Sequence, residues 1–116
     1  MKEVVTSIDI VVSKQIGDAL YKGYSFDVGS NRKMFVLINR DSPYNTSIAY
    51  SEGSLIDGQI LFTGHMHPIC KSSENDKVPS WTRVSIITTT GSCQIVAKDD
   101  SGRDHNDAMH IFYENK

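Results

Sequence analysis

Ser13-Lys14-Gln15-Ile16-Gly17-Asp18-Ala19-Leu20-Tyr21-Lys22-Gly23 sets the fold class of this 116-residue chain. Ser13 suits a helix N-cap, because its hydroxyl can accept from a free amide of the first turn. Ile16, Ala19 and Leu20 then share one side at helical spacing, and Gly23 stands where a helix commonly ends. The pattern predicts a short helix over 14–21 that covers one face of a sheet.

Outward from that segment the chain reads as strands. Residues 4–12 are rich in β-branched side chains, and 24–28 alternate weakly before the turn signal Gly29-Ser30-Asn31-Arg32. Met34-Phe35-Val36-Leu37-Ile38 lies inside a strand over 33–39 that is apolar on both faces, the mark of a central strand. Further strands are predicted over 46–50 and 59–65; were the two a hairpin, Glu52 would lie at the end opposite His65. Residues 81–90 turn back through Gly91-Ser92 into 93–97, and the last strand covers 109–113. Residues 71–77 are polar and aperiodic, hence a loop. The sum is α+β: one domain over 1–116, a mostly antiparallel or mixed β-sheet with one or two flanking helices.

A hydrophobic content of 39% supports a packed globule. A net charge of −2 with scattered Lys and Arg argues against a nucleic-acid surface. Cys70 and Cys93 are too few for a disulfide-stapled secreted domain, Cys93 reading as a core residue and Cys70 as a loop residue. The N-terminus lacks the apolar core of a signal peptide, and no apolar run approaches the ~20 residues of a membrane span. A soluble cytoplasmic protein, away from membranes, is expected, and Met1 favours a whole chain over an excised piece.

Chemistry is concentrated in His65-Met66-His67-Pro68, which ends the apolar run Gln59-Ile60-Leu61-Phe62-Thr63-Gly64. On a strand, His65 and His67 project from the same face, roughly 6–7 Å apart, close enough to share one ion. The following loop supplies Ser73-Glu74-Asn75-Asp76. Two imidazoles and the Asp76 carboxylate make a three-ligand set with a fourth position left for water, whose pKa zinc would lower towards neutrality. Ser73 could then donate to a developing oxyanion.

His-x-His-Pro, a loop, then Ser-x-x-Asp resembles the signature of the JAB/MPN (JAMM) metalloproteases, including small bacterial and phage types. The apolar strand ending in Gly64 and the segment Trp81 to Gly91 also resemble that family's flanks. The resemblance implies zinc held by His65, His67 and Asp76, assistance from Ser73, and hydrolysis of a peptide or isopeptide bond in a protein substrate. Eight residues separate His67 from Asp76, where the family commonly has ten. For its general base the family uses a glutamate followed closely by glycine. Asp27-Val28-Gly29 lies in about that place, one methylene shorter, with Glu3 as another candidate and Glu52 set aside as too distant.

Other readings of the same residues are weaker. A calcineurin-like phosphoesterase needs earlier ligand motifs that are missing before residue 64, and a cupin needs a glutamate nearer than Glu74. Cys70 could replace Asp76 around a structural zinc. Asp104-His105-Asn106-Asp107 reads as a polar turn, and His110 as a solvent-facing strand residue. The alternative from another class is a non-enzymatic binding module, using the sheet and the loop over 69–80 to hold a partner protein or small ligand.

Overall fold

A computed structural model describes residues 3–66, 83–105 and 107–116. Among the described residues, nine strands form two antiparallel sheets. The first contains β1 (Val5–Ile16), β2 (Ala19–Val28), β3 (Arg32–Asn39) and β9 (His110–Asn115), in the order β1-β2-β3-β9. The second contains β4 (Asn45–Gly53), β5 (Ile60–Met66), β6 (Arg83–Thr88) and β7 (Gly91–Lys98), in the order β4-β7-β6-β5, with β8 (Asp104–His105) paired to β7.

The fold is therefore all-β, and the expected α+β class with flanking helices is corrected: the described residues contain no helix. The segment over 14–21 spans the end of β1, a tight turn and the start of β2, with Ile16 opposite Ala19, Gln15 opposite Leu20 and Lys14 opposite Tyr21. Gly17 has φ 61° and Asp18 has no positive φ, the pattern of a type II′ hairpin turn. In a helix interior Gly17 would cost about 1 kcal/mol relative to alanine, whereas at this turn its freedom is required.

β3 is buried on both faces, as the sequence predicts: Met34 to Ile38 are each no more than 5% exposed. Met34, Val36 and Ile38 join Phe26 and Val28 in the core between the sheets, against Val84, Ile86, Cys93, Ile95 and Ala97. Cys93 is a core residue, as expected, and burial pushes its thiol pKa up to about 11. On the opposite face, Phe35 and Leu37 stand level with Phe112 and His110 of β9. Tyr21 meets Phe112 edge-on at 5.3 Å, and the Lys14 ammonium lies 4.5 Å above the Phe35 ring. Full burial of each such side chain is worth ~1.5–3 kcal/mol. The first hairpin thus covers the outside of β3 as well as extending its sheet.

Gly23 permits that arrangement. Its φ is 152°, and a Cβ there would sit 2.2 Å from the Val36 carbonyl oxygen and 3.0 Å from the Leu37 Cα. Around Gly17 nothing lies within 4 Å of a Cβ. Gly17→Ala is expected to lose about 1–2 kcal/mol, the strain of a left-handed alanine alone. Gly23→Ala, which adds a collision with backbone, is expected to lose roughly 2–4 kcal/mol. Urea unfolding of the two variants checks the order; equal losses would contradict it.

The hairpin of 46–50 with 59–65, considered in placing Glu52, does not form. β4 and β5 occupy opposite edges of the second sheet with β7 and β6 between them. The β6–β7 hairpin forms as expected, with its turn at Thr89-Thr90 rather than at Gly91-Ser92.

Candidate functional site

β5 carries His65 opposite Val84, and Thr63 opposite Ile86. Both partners are buried between the sheets, so His65 projects from the inner side of its sheet. Its Nε2 lies 2.6 Å from the carbonyl oxygen of Met109. A carbonyl can only accept, so Nε2–H donates; in the neutral ring of that tautomer Nδ1 is the acceptor. His67, Ser73 and Asp76, with Cys70 and Glu74, lie outside the described residues. Among the described residues, no three His, Cys, Asp or Glu side chains form a group that could hold a metal ion.

Asp27 is brought into a different neighbourhood. It accepts a hydrogen bond from Ser7 Oγ at 2.9 Å and pairs with Lys116 at 3.4 Å and Lys33 at 3.7 Å. The Ser7 bond chiefly, aided by the two ammonium groups against some desolvation, holds its carboxyl below the usual range. Strand register measures its separation from His65. Asp27 stands level with Lys33 and Glu114, while Met109, which His65 touches, lies five residues before Glu114. At ~3.3 Å per residue and ~4.8 Å per strand, the separation is roughly 19 Å. Glu3 is tied to Arg32 at 2.8 Å, and its carbonyl receives the Ile60 amide at the far end of β5, ~16 Å from His65 by the same rule. Glu52 sits three strands across from Phe62, on the far edge of the sheet. A general base must come within hydrogen-bond reach or one water of its proton, and none of these three carboxylates does so at His65.

His105 and its surroundings form a separate polar cluster. Asp104 and His105 add the short β8 to β7, where the sequence reads a plain turn. His105 Nε2 is 2.6 Å from Asp99 Oδ2, and its ring stacks on Tyr44 with centroids 4.2 Å apart and planes 6° from parallel. Asp99 also accepts from the Ser101 amide and hydroxyl and from the Arg103 amide, so it ties the turn after β7. The His105 contact, followed by these amides, holds the Asp99 carboxyl far below the usual range. A depressed folded-state pKa stabilises the fold above the unfolded carboxylate pKa, about 4, and that stabilisation is lost as pH falls. Asp99→Asn is therefore expected to be less stable than the native chain at pH 7, with the gap narrowing by pH 3. Urea midpoints at the two pH values check this; a gap that stays constant would contradict it.

Among the described residues a concave feature lies elsewhere, between the first hairpin and β4. A groove of about 300 Å³ is lined by Ile10, Val12, Lys22, Tyr24, Asn45 and Thr46, among others. Tyr24 Oη donates to the Thr46 carbonyl at 3.3 Å across the groove. Burial raises the Tyr24 pKa, against a backbone hydrogen bond at Ile48. Lys22 Nζ donates to the Ser42 carbonyl at 2.9 Å. Ile10 and Val12 are 76% and 78% exposed, the highest values among the large exposed hydrophobic residues. A bulge places them: from Val11 to Lys14, β1 advances three residues while β2 advances two, from Gly23 to Tyr21. Bulges bend a strand and re-aim its side chains, often beside functional sites. The sequence reading missed this groove because Lys22 and Gly23 fall where the segment over 14–21 reads as a helix and its end. The cue was available in Gly17-Asp18 between Ile16 and Ala19, a two-residue hairpin signal.

No family model, curated protein or solved structure matches this chain. Among the described residues no helix is long and apolar enough to cross a membrane.

Proposed function

We propose that this chain is a non-enzymatic binding domain that holds a small ligand in the groove between the first hairpin and β4. The observation that carries the reading is the groove itself: a recess of about 300 Å³ whose walls include the two most exposed aliphatic side chains of the exposed set. That volume is at the lower end of small-molecule sites, and apolar walls with a few placed polar groups are their usual composition. Ile10 and Val12 have no packing role that explains them, whereas a ligand seated on them would remove both from water. A fragment screen followed by amide NMR is the test. Perturbations are expected to gather on residues 10–12, 22–24 and 45–46. Hits confined to another surface, or none at millimolar fragment concentrations, would reject the reading.

A second reading rests on His65 alone. An imidazole whose N–H is given to a backbone carbonyl has its tautomer and ring orientation fixed, as is usual for a metal-ligating histidine. His65 through Nδ1, together with His67 and Asp76, would hold the ion, and zinc there would supply an activated water. The donor chemistry of His65 fits; the candidate bases do not reach it, so no hydrolytic step on a peptide or protein substrate is derived. Under this reading purified protein binds zinc at micromolar or tighter affinity, and His65→Ala weakens binding at least tenfold, by calorimetric titration. Unchanged affinity in the variant would remove His65 from any zinc site.

A further inference from the structure

We infer that the ligand of this groove is a small amphipathic anion, a carboxylate with an apolar tail, whose head is received by Lys22 while its tail lies on Ile10 and Val12. The inference rests on the binding reading above and specifies its chemistry. It follows from how charge is distributed over the molecule.

Most described cations have an acidic partner. Lys14 pairs with Glu114, Arg32 with Glu3, Lys33 and Lys116 with Asp27, and Arg83 and Lys98 with Asp104. Among the described residues, Lys22, Arg40 and Arg103 have no acidic partner within ion-pair distance; Arg40 and Arg103 are exposed, and Lys22 is half-buried. Its ammonium has three donors and gives one to the Ser42 carbonyl, which leaves two for a ligand. None of the residues lining the groove is acidic. A half-buried ammonium beside apolar walls, with no carboxylate lining the same recess, favours a negative partner and disfavours a positive one. The Asn45 amide lies at the same rim, and among the described residues its side chain is not engaged by another side chain. It can donate to the second oxygen of a carboxylate.

The apolar part of the ligand is set by Ile10 and Val12. Both line the same recess, Ile10 just before the bulge of β1 and Val12 within it. A short aliphatic chain fits the recess, whereas a folded partner would need an interface far larger than it offers.

The test uses the intact protein and eight-carbon probes followed by amide NMR: octanoate, octanol and octylammonium. Octanoate is expected to bind with perturbations at residues 10–12, 22–24 and 45–46, about tenfold more tightly than octanol, with octylammonium weakest. Lys22→Gln keeps a donor for the Ser42 carbonyl but loses the charge; its octanoate and octanol affinities are expected to converge. Equal binding of octanoate and octanol by the native protein would overturn the anion inference and leave the groove reading intact. No perturbation of the groove by any of the three probes would overturn both. A preference for octanoate that survives Lys22→Gln would show that another group receives the head and would overturn the assignment to Lys22.

Discussion

The register in which Ile16 faces Ala19 across Gly17-Asp18 governs the rest of the molecule. Side chains alternate along a strand, so a slip of one residue would exchange the two faces of the hairpin. In the observed register Phe26 and Val28 enter the core, and Tyr21 and Lys14 are delivered to the outer face against Phe112 and Phe35. The same register leaves Ile10 and Val12 at the bulge of β1, lining one groove with the start of β4. Core, outer cover and groove are three consequences of one pairing. Gly23, where no Cβ could be accommodated, lets β2 pass close enough to β3 for all three.

The electrostatics follow the same division. The outer faces carry ion pairs between strands, such as Lys14–Glu114 and Arg83–Asp104, and pairs of this exposed kind each add only a few tenths to about 1 kcal/mol. The inner side is joined by directional bonds to backbone: Tyr24 to the Thr46 carbonyl at one edge, His65 to the Met109 carbonyl at the other. Each ties a side chain of one sheet or connection to the main chain of another. They differ in what they leave over. At the Tyr24 edge a recess persists with Lys22 in its wall, while His65 is out of reach of Asp27, Glu3 and Glu52.

Much of the fold could be read from the sequence wherever a signal was local. β3 was legible because five consecutive apolar residues with no polar alternation fit only a strand covered twice. The β6–β7 hairpin and the last strand were legible from β-branched runs bounded by turn residues, and Cys93 from its place inside one. The segment over 14–21 was not, because Ile16, Ala19 and Leu20 satisfy a helical stripe over two turns as well as they satisfy a hairpin. What decides between them is Gly17-Asp18 at the turn, together with the distant Phe112 that Tyr21 meets in the folded chain. The order of strands in the second sheet was illegible for the same reason, since β4 finds β7 some forty residues away in sequence. Of the motif residues, His65 stands where a strand-end histidine was expected, and Asp27 stands in another part of the first sheet. His67, Ser73 and Asp76 fall outside the described residues. The groove was invisible because its lining comes from three separated segments, each unremarkable alone.

The most direct measurement of this account is a nuclear Overhauser map of the first thirty residues in solution. An extended hairpin gives cross-strand contacts joining Gln15 to Leu20 and Ile10 to Tyr24, with strong sequential Hα–amide contacts through Lys14 and Tyr21. A helix over 14–21 would instead give amide–amide contacts along the segment and contacts between residues three and four apart. That second pattern would remove the outer cover of β3 and the wall of the groove together, and the account would fall with them.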